Sequence, residues 1–310
     1  MPSEQVTQPA WRHSPHGGLG SAALAVLAEG TVRQFERQGV PLGPKNRARQ
    51  ALEVIQQSNE GRLKITKDDP KTLALIAEAI RDTRELHLIA RTIPRGRDAD
   101  LDGKLKVMLH GSRRRSSKPR DFQFEQLVGA LFAMGSIPTW SAEPDLRFTL
   151  HNEDWGVAVK RVRAPGQLGA RTTRARQQLE NQQLRGVIAL NVDAFLEGVP
   201  AEGVAGEVGA RFSSAIERLH RLLPDLAEQR SLLGVLIIGA VAGWTFEGEM
   251  PRLAHPLIFQ GRSFVDDPAD RAVTDELFNR LERGMEERIA EVYAEIKAVM
   301  PRERGTGLPT

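Results

Sequence analysis

Two runs constrain this chain more than anything else in it. Gly186–Val192 and Leu232–Val241 are almost unbroken apolar sequence, with no alternation of polar and apolar residues. A strand of that kind has no face for water, so both runs read as buried strands covered by other elements. The longest apolar stretch, Leu232–Trp244, is 13 residues. A membrane-spanning helix needs about 20, so the run belongs to a protein core. Around these strands, 40% apolar and 27% charged residues fit a globular chain rather than a disordered one.

The elements around the two runs predict a layered α/β fold. Residues 1–20 are rich in Pro, Gly, Ser and Gln and read as a flexible arm. Residues 21–93 carry three helical patterns, at Ala22–Gln38, Lys45–Asn59 and from Asp69-Pro70 to about Ala90, and read as a small all-helical unit. Asp69 is placed to cap the third helix, with Pro70 tolerated in its first turn. Residues 94–120 read as a basic linker containing Arg113, Arg114 and Arg115, with a short strand near Leu105–Leu109. From 121 to 310 the order is helix 122–134, strands at 137–140, 145–150 and 155–162, helix 167–184, strand 186–192, helix 211–223, strand 232–241 and a long helix 273–300. Leu277, Leu281, Met285, Ile289, Val292, Ile296 and Val299 form the stripe of that last helix. This is a mixed sheet flanked by helices, preceded by a helical unit.

Charge is unevenly spread. Between Lys104 and Arg185 there are 15 Lys+Arg against 7 Asp+Glu, a local +8, which leaves −5 for the rest of a chain whose net is +3. Such asymmetry points one region toward a polyanion. The absence of Cys excludes disulfides, thiolate zinc sites and cysteine nucleophiles, and is compatible with a reducing cytoplasm. The polar N-terminus lacks the apolar run of a signal peptide, so the expectation is a cytoplasmic protein with no membrane partner.

The residues able to do chemistry gather around the predicted hairpin. Ala158 and Lys160 share a strand face, and a turn at 151–154 would bring Asp145 beside them. Glu125 borders the apolar face of its helix and looks toward the sheet. A Glu, an Asp and a Lys at one strand end suit a hard cation and a phosphate. The pattern resembles the PD-(D/E)xK nucleases, the restriction-endonuclease-like fold. The matching residues are Glu125 in Phe-Glu-Gln-Leu-Val, Pro144-Asp145, Ala158-Val159-Lys160-Arg161-Val162, Gln178-Leu179 on the next helix, and the strand 186–192. The resemblance covers about 121–193, and implies Mg²⁺- or Mn²⁺-dependent cleavage of nucleic-acid phosphodiesters. It implies Asp145 and Glu125 as metal ligands, Lys160 as the catalytic lysine, with Glu125 and Gln178 assisting.

One position departs from the family, which has Asp or Glu two residues before the lysine where this chain has Ala158. Either Glu143, Glu153 or Asp154 supplies the acid, or the site is degenerate and the domain serves nucleic-acid binding or assembly in a multi-protein complex, for example a defence complex. Arg161, Arg163, Arg171 and Arg174 follow the lysine and read as a phosphate-tracking surface, with DNA the first expected partner and RNA the second. The helical regions could also carry a homo-oligomer or protein interface. Trp140, Trp155 and Trp244 lie in or beside strands and read as core. No G-x-x-x-x-G-K-[ST] or H-E-x-x-H pattern occurs.

Overall fold

The computed structural model describes residues 21–63, 66, 68–93, 99–110, 118–195, 217, 221, 231–240, 243–247, 250–254, 257–263, 265 and 267–299. The N-terminal arm, the three arginines at 113–115 and most of the helix expected at 211–223 lie outside them. So do the side chains of Trp244, Ile289, Ile296 and Val299. Helices α1 (Ser21–Arg37), α2 (Arg47–Asn59), α3 (Pro70–Thr92), α4 (Ala99–His110) and α5 (Lys118–Met134) come first. Strands β1 (Thr139–Ala142), β2 (Asp145–Leu150) and β3 (Glu153–Arg161) follow, then α6 (Leu168–Asn181) and β4 (Arg185–Asn191). The chain closes with β5 (Leu232–Ala240), β6 (Gly243–Glu247), β7 (Met250–Ala254), β8 (Leu257–Ser263) and α7 (Pro268–Val299).

One six-stranded sheet runs in the order β1-β2-β3-β4-β5-β8, and β6 pairs with β7 apart from it. Strands β3, β4 and β5 are parallel, while β1, β2 and β8 join by antiparallel pairing. The two apolar runs are thus neighbours inside the sheet. Helices α5 and α7 cover one face and α6 covers the other over β3 and β4. On the α5 side, Phe148, Trp155, Val157, Val187 and Ala189 share a core with Leu127, Leu131 and Phe132. On the α6 side a Cβ at Gly156 would stand 2.7 Å from Leu179, so the glycine lets helix and sheet approach. The β2–β3 turn places His151 and Asn152 at φ 52° and 63°, as a tight two-residue hairpin requires.

Three expectations change. Residues 99–110 form helix α4 rather than linker and strand. Leu105, Met108 and Leu109 are buried at helical spacing, and the five-residue window 105–109 was too short to distinguish the two periods. Helix α5 starts at Lys118, within the expected linker. Strands β6, β7 and β8 were not foreseen. Asp69 does cap α3, accepting from the backbone N–H of Thr72 at 3.0 Å. The same core cluster continues from the sheet into the N-terminal helices through Phe35, Leu86 and Ile89. No described helix is long and apolar enough to cross a membrane.

A buried ionic network ties these layers together. Asp82 of α3 accepts from Arg47 of α2 and from Arg120 of α5, and all three side chains are buried. Arg120 also reaches Glu78, Gln123 donates to Glu85, and Arg81 bridges Glu85 and Asp193 beyond β4. Burial alone would raise the Asp82 carboxyl, but the charges of Arg120, Arg47 and Arg81 hold it below the ordinary carboxylate range. Asp82→Ala removes the carboxylate that two buried guanidinium groups share, leaving Arg120 with Glu78 and Arg47 with the Met108 carbonyl, and should cost about 3–5 kcal/mol in denaturant unfolding. Nearby, burial and the charge of Arg91 lower the His87 ring from 6.5 to about 4, although Glu295 opposes them; Arg288 adds to the lowering, and Thr31 Oγ1 lies 3.2 Å from Nδ1. Between these two values the unfolded chain binds a proton that the folded chain does not. Stability should therefore fall as pH drops from 6.5 toward 4, by on the order of 3 kcal/mol, with His87→Gln removing that part of the slope.

Candidate functional site

Hairpin register builds the site. Leu146 pairs with Val157, so the next residue back, Asp145, stands across from Ala158. Lys160 lies one pleat further along the same face. Asp145 Oδ2 accepts from Lys160 Nζ at 2.7 Å and from the Val159 backbone N–H at 2.7 Å. The lysine also donates to the Val159 carbonyl at 3.0 Å. Gln178 of α6 donates to the Pro144 carbonyl at 3.1 Å and so holds the cis Glu143–Pro144 turn that delivers Asp145. The structure brings Asp145, Lys160 and Gln178 together as one unit.

Glu125 arrives from the other side of the sheet edge. It is 8% exposed on α5, beside Phe124 and Val128. Its carboxylate accepts from Lys104 Nζ of α4 at 2.9 Å. Lys104 also bonds Ser141 of β1 and lies 3.3 Å from Asp100. Lys104 and Asp100 lie in the stretch 94–120 that the sequence presents as linker, and Ser141 carries no sequence signal of its own. The spacing of Leu101, Leu105, Met108 and Leu109 is the signal that would have placed Lys104 on a helix.

The two carboxyls influence each other. Burial raises Glu125 above its ordinary value, Lys104 pulls it back, and the charge of Asp145 pushes it further up. Burial likewise raises Asp145; Lys160 and the Val159 N–H oppose this, while Glu143 adds to it. Lys104 stays firmly charged, because Glu125 and Asp100 outweigh its burial. The site is two acid–lysine pairs, with Asp100 sharing Lys104 and Glu143 standing near Asp145.

The remaining expected residues divide. Ala158 is fully buried and offers no oxygen. Glu153 and Asp154 lie six or seven residues before Lys160 on β3, about 20 Å away along the strand. Asp154 accepts there from Thr149 at 3.0 Å, and Glu153 lies 3.9 Å from Arg185. Of the three substitute acids, only the exposed Glu143 is at the Asp145 end. Arg161 has a side chain only 9% exposed and lies 3.2 Å from Asp121, which Arg163 also pairs. Arg174 is exposed and Arg171 half-buried on α6. Trp155 is buried as expected, but Trp140 is 43% exposed and not core. Among the described residues, no three His, Asp or Glu side chains converge on one point.

Compared with known proteins, the chain matches no family model, no curated protein and no solved structure. Geometry and sequence pattern carry the functional reading. Lys104→Met removes the charge that pulls Glu125 down, and the Glu125 titration followed by carboxyl NMR should move to higher pH. Lys104→Arg should restore most of it. An unmoved titration would show that the Lys104 pair does not tune this acid.

Proposed function

We propose that this chain acts on nucleic acid and hydrolyses its phosphodiesters at the Asp145–Lys160 unit with the aid of a divalent cation. The observation that supports it is the 2.7 Å Asp145–Lys160 contact made across the β2–β3 hairpin, with the Asp145 charge felt at Glu125. The element order α5, β1, β2, β3, α6, β4 is also the order on which the resemblance to PD-(D/E)xK nucleases rests.

The donor set suits Mg²⁺ or Mn²⁺. Such an ion needs one or two carboxylates and fills its remaining positions with water and substrate phosphate oxygens. Asp145 and Glu125 are two coupled, partly desolvated carboxyls of that kind, and would hold it. When bound, the ion supplies polarisation of the phosphoryl group and a more acidic water. Lys160 releases Asp145 and turns its ammonium toward the phosphate, where it offsets developing negative charge. Glu125, made more basic by burial, would accept a proton from the attacking water as its oxygen bonds to phosphorus, while the P–O bond to the leaving sugar oxygen breaks and solvent water protonates that oxygen. Gln178 acts through Pro144 as a positioning residue. Arg171 and Arg174 offer cations to the flanking backbone.

Ala158 favours a second reading, a module that binds nucleic acid without cutting it. The chain lacks the carboxylate that the resemblance places there, and both remaining acids already have a lysine.

The test is cleavage of labelled DNA and RNA, single- and double-stranded, by the full chain with Mg²⁺ or Mn²⁺. Lys160→Ala and Asp145→Asn, checked for unchanged melting, should each lose at least about a hundredfold in rate. Cutting that survives both changes overturns the assignment. Salt-sensitive binding without cutting selects the second reading.

A further inference from the structure

Edge strand β1 carries an indole that the core does not use. Along β1, Thr139 and Ser141 face α5: Thr139 Oγ1 lies 3.4 Å from where a Cβ at Gly129 would stand, and Ser141 bonds Lys104. Strand alternation turns Trp140 to the opposite face. That is the face of Arg147, its direct cross-strand partner, and of Asp145 and Lys160. Strand spacing of about 4.8 Å and a two-residue step along the strand put the Trp140 and Asp145 Cα atoms about 8 Å apart. Helix α6 packs over β3 and β4 on this face, and Trp140 stands two strands away from β3 at the sheet edge, where it is 43% exposed.

We propose that Trp140 is a stacking platform for an unpaired base, so that the nucleic acid taken by this site is single-stranded where it meets β1. The proposal rests on the nucleic-acid reading above and adds the form of the substrate. An indole in water gains by covering its flat face, and a base is a flat partner of matching size. In a duplex both faces of an internal base are already stacked. A free face belongs to a single strand, a frayed end or an extruded base. The surroundings suit a strand rather than an apolar peptide. Arg147 stands beside the indole, donating to the Glu143 carbonyl at 2.6 Å and to Gln182 at 3.1 Å, and Lys160 is on the same face. A base on Trp140 places its sugar–phosphate chain near these cations, and near the Asp145–Lys160 unit.

The test uses the full chain in EDTA, so that binding is read without cutting. Fluorescence anisotropy compares a labelled 20-nucleotide single strand, the same length carrying abasic sites, and a hairpin duplex. Wild type should prefer the strand with bases. Trp140→Ala should weaken single-strand binding about tenfold or more and duplex binding less than twofold, erasing the difference between normal and abasic strands. Trp140→Phe should retain most of the preference, and melting should be unchanged in both. Three results overturn the proposal: equal losses on strand and duplex, no loss on either, or a Trp140→Ala chain that changes oligomeric state, which would make the indole a contact between copies. If wild type binds nucleic acid but Trp140→Ala is neutral, only this proposal fails. If wild type binds none, the reading beneath it fails as well.

Discussion

Asp82 is the pivot on which the layers turn. A carboxylate removed from water is tolerated only with charged donors around it, and Asp82 has Arg47 and Arg120. Those two arginines come from different helices, so meeting the needs of one acid fixes α2, α3 and α5 relative to one another. Helix α5 also carries Glu125, about one and a half turns beyond Arg120. The network therefore reaches the candidate site through the rigid body of a helix. Arg81 extends it to Asp193, just past the end of β4, tying the helical layer to the central strands.

The site itself is an exercise in balance. Two acid–lysine pairs make a partly desolvated cluster, with Asp100 and Glu143 at its margins, in which each paired acid remains less acidic than usual. A cluster of this kind is poised rather than fixed. Under the proposed function, an anionic phosphate would compete with the acids for the lysines, and a cation with the lysines for the acids. On that proposal the two would arrive together, since either alone would strand a partner.

Much of this was legible because the signals are local. Strand β2 was readable from strict alternation between Asp145 and Leu150, α3 from its Asp69 cap, and β4 and β5 from unbroken apolar sequence. The Asp145–Lys160 contact followed from hairpin register alone. What escaped depended on distance. Nothing in the sequence says that Lys104 will meet Glu125, because their contact is made by packing α4 on α5. Trp140 reads as core in any strand of unknown position, and only the place of β1 at the sheet edge exposes it. Ala158 was visible as a departure, but excluding Glu153 and Asp154 needed the direction of β3. Strands β7 and β8 escaped because Met250–Ala254 contains Pro251, and Leu257–Ser263 mixes Gln, Gly, Arg and Ser with its apolar residues, so neither shows a clean period.

The two ends of the described chain meet. Val292 of α7 packs against Ala23 and Leu27 of α1, and Arg91 of α3 donates to Glu295 at 2.8 Å across 204 positions of sequence. During synthesis, at about 5–20 residues per second, the first three helices wait roughly 10–40 seconds for the last one to emerge. Until then the sides of α1 and α3 that α7 will cover stay open to water. The α1–α3 layer is thus made before the sheet but closed only after it, when α7 arrives.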